Sequence, residues 1–191
     1  MNLNKTYYII FLISLSWSCK SPESISNYKP SSNINTEFNT AYFQSSGSVY
    51  GTLDKAVYDQ IKTAIELELS TTIPESKSIL INFRQDGRNC FSMKNNGKSY
   101  LNNLKGNSKT SSRISSQNNA VDFFIFSKKS YFNDVIKMEE NFFIDSGFFY
   151  QNIFTEHENC SAFLVIKPNG KFMKYYGVDY FTKAKNFLEL D

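Results

Sequence analysis

Residues 162–176 read AFLVIKPNGKFMKYY. An apolar run comes first, and a second run rich in aromatic residues follows the stretch Lys167-Pro168-Asn169-Gly170. Proline and glycine stand in this stretch where a type I turn favours them. The segment therefore predicts two strands, 162–166 and 171–176, joined as a β-hairpin.

The segments around the hairpin predict further elements. Gly177 ends the second strand, and apolar residues at helical spacing predict a closing helix over 180–190. Upstream, the pattern predicts an amphipathic helix over 54–69, capped by Thr52 or Asp54. Shorter patterns predict buried strands at 78–83 and 121–126, a helix at 131–138, a short strand at 142–144, a helical turn at 148–154, and a loosely packed helix or long loop over 90–119.

Strands thus alternate with helices before the hairpin and its closing helix. This order is typical of an α/β fold in which a mixed sheet carries helices on both faces. The chain has 191 residues, among them 18 Phe and 12 Tyr, and this aromatic share favours a packed interior over disorder. Residues 49–191 are enough for one domain with a substantial core and too few for two.

Residues 1–18 have the order of a secretory signal. Lys5 precedes an apolar stretch, 7–15, that is shorter than the roughly 20 residues of a membrane-spanning helix. The stretch ends at Ser16-Trp17-Ser18-Cys19, which resembles the lipobox of bacterial lipoproteins, although Ser16 and Trp17 depart from its usual residues. The resemblance implies cleavage after residue 18 and lipid on Cys19. The alternatives are a secreted protein cleaved nearby or an uncleaved helix.

The lipobox resemblance also implies an address and a membrane partner. Lys20 follows the cysteine instead of the aspartate that signals inner-membrane retention, so we expect a cell-envelope protein anchored in the outer membrane through Cys19. Residues 19–48 are rich in Ser, Asn and Pro and predict a flexible tether. The alternative for this segment is a strand or two packed on the domain through Phe38, Tyr42 and Phe43.

Two segments resemble the thioredoxin-like fold, specifically its envelope lipoproteins. They are SILINF at 78–83, which resembles the strand before the active-site loop, and AFLVIKPNGKF at 162–172, which resembles the hairpin. The resemblance implies a thioredoxin-like domain over 49–191. The family's Cys-x-x-Cys motif is missing, since 84–91 holds only Cys90, and its proline before the hairpin is missing too.

The same resemblance implies that Cys90 and Cys160 lie near one another. With Cys19 lipidated, they form the remaining pair in an oxidising compartment. Three interpretations stay open: a structural disulfide, which would stabilise the fold by roughly 4 kcal/mol, a redox-active pair, or two unpaired thiols.

Other candidate sites are weaker. His157 is the single histidine in the chain, so a zinc set is not expected, and neither Glu139 and Glu140 nor the Gly-Lys-Ser at 97–99 forms a recognisable site. The net charge of +3 is spread along the chain and does not predict nucleic-acid binding. No cofactor is expected. Aromatic residues in the last third are expected to fill the core, with a surface for a protein partner as the alternative: Phe148, Phe149, Tyr150, Phe154, Tyr175, Tyr176, Tyr180 and Phe181.

These observations support two functional hypotheses. The first is a lipid-anchored, thioredoxin-like domain that lacks oxidoreductase chemistry and serves as a binding or structural module of the envelope. The second is a thiol-disulfide oxidoreductase in which Cys90 attacks and Cys160 resolves. A third possibility is an unrelated α/β envelope protein, which a hairpin through 95–98 would favour and a helix beginning at Cys90 would not.

Overall fold

The computed structural model describes residues 47–87, 97–128, 130, 136, 142–177 and 181–190, with side chains of the helix that begins at Gly97 described from Tyr100 on. The elements are β1 (Gly47–Thr52), α1 (Lys55–Leu69), β2 (Ser78–Arg84), α2 (Gly97–Gln117), β3 (Ala120–Phe126), β4 (Phe142–Ile144), a π-helical turn (Phe149–Ile153), β5 (Ser161–Ile166), β6 (Lys171–Tyr176) and α3 (Phe181–Glu189).

The six strands form one mixed sheet in the order β1-β6-β5-β2-β3-β4. Strands β2, β3 and β4 run parallel to one another, whereas β5 is antiparallel to β2, and β6 is antiparallel to both β5 and β1. The central strand β2 is buried along nearly its whole length, as expected for a parallel strand covered on both faces.

Alternate residues of β2 face two different cores. Ile79, Ile81 and Phe83 pack against α1 and the π-helical turn, whereas Leu80 packs on the opposite face with α2 and α3. The helices therefore cover both faces of the sheet, and the predicted α/β class with a mixed sheet is confirmed. The predicted hairpin, the closing helix, the strands at 78–83, 121–126 and 142–144, and the helical turn near 148–154 are confirmed as well.

The helix predicted over 54–69 is confirmed, and its buried side is not purely apolar. Asp54 caps it by accepting a hydrogen bond from the Val57 amide at 2.8 Å, while the Val57 side chain itself is exposed. The buried face instead includes Tyr58 and Lys62. The Lys62 ammonium lies 2.9 Å from both Glu66 and Glu75, and these ion pairs make its burial tolerable.

Helix α2 decides between the loosely packed helix and the long loop predicted for 90–119 in favour of a helix. It is a 21-residue helix, and its Gly97 and Lys98 rule out the alternative hairpin through 95–98. Its buried face carries Leu104 and Ile114 but also Ser111 and Ser115. Because small polar residues occupy core positions, apolar periodicity alone could not reveal the helix.

The polar face of α2 meets polar side chains of the sheet. The buried Asn82 amide of β2 donates to the Ser111 hydroxyl at 2.9 Å and to the Phe123 carbonyl at 3.2 Å. The Ser112 hydroxyl donates to the Asp122 carboxylate at 3.1 Å. Burial raises the pKa of the Asp122 carboxyl, and hydrogen bonds from Ser111 and Ser112 oppose the shift. The network adds hydrogen bonds to the apolar contacts through which α2 packs on β2 and β3.

The raised pKa of Asp122 predicts how the stability of the fold depends on pH. The folded chain holds this proton more tightly than the unfolded chain does, so the benefit is complete below a pH of about 4 and is lost as pH rises through the folded pKa. Asp122→Asn removes the buried charge, and we expect it to raise the free energy of unfolding at pH 7 by less than about 1 kcal/mol, since the Ser112 bond offsets part of the cost.

Urea unfolding of both proteins across pH 4 to 7 tests the effect of Asp122→Asn, with denaturant extrapolation at each pH. Asp59→Asn is the matched control, because Asp59 forms an exposed ion pair with Lys55, and exposed ion pairs contribute little to stability. A loss of stability at pH 7 in Asp122→Asn would contradict the prediction.

Parts of the predicted organisation lie outside the described residues. These are the signal segment, Cys19, the tether up to residue 46, and the helix predicted over 131–138 apart from the buried Ile136. Strand β1 begins at Gly47, just inside the predicted tether boundary, and was not itself predicted.

Candidate functional site at the carboxyl ends of the parallel strands

The chain segments that follow β2, β3 and β4 meet beyond the carboxyl ends of these strands, at the edge of the sheet where β5 begins. The Ser127 amide donates to the Arg84 carbonyl, and the Asp145 amide donates to the Phe126 carbonyl, each at 2.8 Å. The Gln85 amide donates to the Cys160 carbonyl at 2.9 Å. Ligands of open α/β sheets bind outside the carboxyl ends of the strands, so this edge is the candidate functional site.

Gln85 holds together two distant parts of the chain at this edge. It directly follows β2 and is buried. Its side-chain Nε2 donates to the Glu156 carbonyl at 2.8 Å and to the Asn159 carbonyl at 2.9 Å. Its Oε1 lies 3.0 Å from Nδ1 of His157. One glutamine therefore fixes the segment 156–160, which leads into β5, against the end of β2.

These contacts also determine the hydrogen position on His157. Two carbonyls accept from Nε2 of Gln85, so the other end of the amide is its oxygen, and Nδ1 of His157 must be the donor. The neutral imidazole then carries its lone pair on Nε2. The ring stacks on Tyr150 with centroids 3.7 Å apart and planes 6° apart. His157 is thus held in one orientation within the loop that leads into β5.

Asp145 fixes the position of Tyr150. Its buried carboxylate accepts hydrogen bonds from the amides of Gly147 and Phe149 at 3.0 Å and of Tyr150 at 2.9 Å. These bonds satisfy amides at the start of the π-helical turn in the manner of a helix N-cap. Because these hydrogen bonds engage the carboxylate in holding the turn, it is not available as a general base.

A pocket of about 260 Å³ lies beside Tyr150 at the ends of β3 and β4. Lys128 closes one side by donating to the Ser146 carbonyl at 2.7 Å, and the Glu68 carboxylate accepts from the Ser146 amide and hydroxyl at 2.8 Å each. The pocket is smaller than the roughly 300 Å³ or more typical of small-molecule sites. Its lining residues are Ser127, Lys128, Asp145, Ser146, Gly147, Tyr150 and Gln151.

Arg84 borders the other side of the edge. Its guanidinium donates to the buried Ser161 hydroxyl. Burial raises the pKa of the Tyr100 hydroxyl, and the positive charge of Arg84 opposes that shift. The start of α2 therefore lies next to the end of β2 and the start of β5.

Cys160 is disulfide-bonded and half-buried, which excludes the interpretation that leaves it unpaired. Its surroundings are tightly packed: a Cβ added to Gly87 would lie 2.9 Å from the carbonyl oxygens of His157 and Glu158. Residues 85–87 and 157–160 thus run side by side. The other two cysteines, Cys19 and Cys90, lie outside the described residues.

The structure describes some of the other candidate residues from the sequence, and the rest lie outside the described residues. Glu139, Glu140 and Tyr180 lie outside the described residues, and Gly97 to Ser99 belong to α2. No group of three His, Cys, Asp or Glu residues in the described part of the chain could hold a metal ion. Core filling is confirmed for Phe149, Phe154, Tyr175 and Tyr176, which are buried, while Phe148, Tyr150 and Phe181 are half-buried.

Gln85 is the residue of this edge that sequence reasoning missed. We expect Gln85→Ala to lower the free energy of unfolding by about 2 to 3 kcal/mol, because it leaves two carbonyls and the His157 donor without this partner in a buried place. Chemical denaturation measures the loss. Gln117→Ala, on the exposed surface of α2, is the control and should change stability by less than about 0.5 kcal/mol. Equal effects of the two substitutions would contradict the structural role of Gln85.

Comparisons of the chain with protein-family models, with curated proteins and with solved structures found no match. Within the part of the chain that the structure describes, no helix has the length and apolar character needed to cross a membrane.

Proposed function

We propose that this chain is a lipid-anchored protein of the bacterial cell envelope whose divergent thioredoxin-like domain serves as a non-catalytic binding or structural module. The anchor rests on the lipobox resemblance at Cys19. The class of domain rests on the order of elements, and the non-catalytic role rests on the surroundings of Cys160.

The thioredoxin-like assignment is supported by the arrangement around β2. Strands β2 and β3 are parallel and connected through α2, and the β5–β6 hairpin adds antiparallel to the other side of β2. Helix α3 closes the chain on the face that α2 also covers. A parallel strand-helix-strand unit followed by a hairpin and a helix is the order that the resemblance at 78–83 and 162–172 implies.

The observation that carries the non-catalytic role is the fixed environment of the Cys160 disulfide. A redox-active disulfide must open and let a partner thiol reach one of its sulfurs. Here the Cys160 carbonyl accepts from the Gln85 amide, and the Gln85 side chain fixes residues 156–159. The close approach of Gly87 to Glu158 leaves little room for the segment to shift. This environment favours a structural disulfide over a catalytic one.

The proposed partner of Cys160 is Cys90. The chain has three cysteines, and lipid on Cys19 would remove that thiol from the choice. Cys90 follows shortly after Gly87, whose backbone runs beside His157 and Glu158. A bond between these two residues would therefore lie only a few residues along the chain from that contact.

Redox titration of the thiols tests the non-catalytic role. The mature protein is equilibrated in glutathione and dithiothreitol buffers of graded potential, alkylated, and analysed by peptide mass spectrometry. A disulfide linking Cys90 and Cys160 that persists down to potentials below about −300 mV, as for structural disulfides of secreted proteins, supports the proposal. A disulfide that exchanges near about −200 mV, where catalytic pairs operate, would favour the alternative oxidoreductase with Cys90 as nucleophile.

The lipid anchor is tested separately. Cells expressing the full chain with a radiolabelled fatty acid should incorporate label into the wild-type protein, and Cys19→Ser should abolish the incorporation. Ser21→Ala is the matched control and should keep the label. Equal labelling of the wild-type and Cys19→Ser proteins would remove the basis for the membrane assignment without affecting the thiol result.

A further inference from the structure

We propose that the outer edge of β1 is a self-association surface, on which β1 of a second copy of this chain pairs antiparallel about a two-fold axis. The inference goes beyond the proposed module function and does not depend on the disulfide or on the lipid anchor. It rests on the composition, exposure and surroundings of the strand Gly47–Thr52.

Strand β1 has the features of an unprotected sheet edge. It is the terminal strand of the sheet in the described residues and pairs with β6 in an unbroken register from Gly47–Tyr176 to Thr52–Lys171. Its sequence GSVYGT contains no charged residue and no proline. Soluble proteins commonly blunt such edges with lysine, proline, a bulge or a covering element, and within the described residues β1 has none of these.

Exposed apolar side chains are concentrated at the same end of the molecule. Val49 is 47% exposed and Tyr50 is 61% exposed, and both belong to β1. Val57, at the start of α1, is exposed too, and the Leu53 amide donates to the Gly170 carbonyl at 2.9 Å, which holds this start against the hairpin turn. Val49 and Tyr50 thus provide apolar contacts along the strand edge itself.

The C-terminal end of α3 extends this surface. Phe187 lies with its ring centroid 6.1 Å from that of Tyr50. Leu190 is 63% exposed, and its carbonyl accepts from the Lys167 ammonium at the hairpin turn. Of the large exposed apolar residues in the described part of the chain, Leu67 lies at the opposite end of α1 from Val57.

A second copy is the occupant that the charge pattern favours. In a two-fold antiparallel pair the strand faces itself, so any charged residue near its centre would oppose a like charge. The uncharged β1 avoids this cost, and a two-fold axis at Val49 or at Tyr50 would place that residue opposite its own counterpart, an apolar or aromatic cross-strand pair of the kind that stabilises sheets. Lys171 and Lys174 lie one strand further in, so they would be about 14 Å from their counterparts, beyond the screening length at physiological salt.

The test measures the molar mass of the full mature chain, purified in mild detergent, by sedimentation velocity with correction for bound detergent. We expect a concentration-dependent dimer of the wild-type protein at micromolar concentration. Val49→Lys and Tyr50→Lys should each weaken dimerisation by about tenfold or more, because each places like charges across the two-fold axis. Leu67→Lys is the matched control, since Leu67 is more exposed than either but lies at the end of α1.

Hydrogen–deuterium exchange of the peptide that contains residues 47–52 provides a second readout that needs no substitution. Its amides should become more protected as the concentration of the wild-type protein rises. A wild-type protein that stays monomeric, whether because the edge is bare or because another segment or protein covers it, would overturn the proposal. So would a dimer that both β1 variants keep, or exchange of 47–52 that does not depend on concentration.

Discussion

Replacing Phe83 with alanine is expected to lower the free energy of unfolding by about 4 kcal/mol. Phe83 is fully buried on β2 and stacks on Phe154 with ring centroids 4.5 Å apart and planes 8° apart. Its ring also lies 6.5 Å from that of Phe149. The substitution removes both aromatic contacts and leaves a cavity between the sheet and the π-helical turn, which the surrounding strands cannot close.

Urea unfolding followed by far-ultraviolet circular dichroism measures the loss in Phe83→Ala. Phe83→Leu should recover much of it, because leucine fills part of the same space. Val57→Ala is the matched control, since Val57 is exposed on α1, and its effect should stay within about 0.5 kcal/mol. If Phe83→Ala lost no more stability than this control, the stacking of Phe83 in the core would be contradicted.

The elements that the sequence predicted well are those whose signals are local. The hairpin has its two strands and its turn within 162–176, and 78–83 and 121–126 are apolar runs bounded by polar or turn residues. In each case most of the buried side chains are apolar, and Ser78, Asn82 and Lys167 are the polar exceptions. Local composition and final environment agree in these segments, so the α/β class followed from them.

Helix α2 and strand β1 show where local signals fail. The core side of α2 uses Ser111 and Ser115, and Ser111 is tolerated because Asn82 and Asp122 on the sheet offer it polar neighbours. Strand β1 is held by its ladder with β6, which lies far away in sequence, and it carries few apolar residues. Both elements owe their stability to partners that a local pattern does not contain.

The candidate site was predicted only in part. Cysteine and histidine are residue types with known site chemistry, so Cys160 and His157 were candidates. Glutamine is not such a type, so Gln85 was not a candidate. Its partners Glu156, His157 and Asn159 are separated from it by the whole span from β2 to β5. Its position directly after a buried strand that ends at a turn was the one signal that could have identified it, because residues at the carboxyl ends of α/β strands commonly line functional edges.

The end of β2 and the start of β5 lie together at the candidate site, and two kinds of constraint act there. Hydrogen bonds join them through Gln85, and a disulfide on Cys160 adds a covalent constraint nearby. The two act on different states: hydrogen bonds stabilise the folded chain, whereas a disulfide acts mainly by restricting the unfolded chain. Their contributions should therefore be separable by experiment.

Cys160→Ser is expected to lower the free energy of unfolding by about 4 kcal/mol under oxidising conditions, as the chain-entropy model gives for a loop closed between Cys90 and Cys160. The substitution frees the unfolded chain while the hydrogen bonds of Gln85 remain. Guanidinium unfolding with and without a strong reductant measures the effect. The wild-type protein in reductant should match Cys160→Ser, and reductant should not change the variant further.

Cys90→Ser and the double variant identify the partner. If Cys90 closes the loop, Cys90→Ser should lose as much stability as Cys160→Ser, and the double variant should lose no more than either, because the bond is broken only once. Cys19→Ser is the matched control and should leave the free energy of unfolding unchanged. A loss of stability in Cys160→Ser that Cys90→Ser does not share would show that a different thiol is bonded to Cys160. That result would contradict a loop between Cys90 and Cys160, and it would not affect the contacts of Gln85.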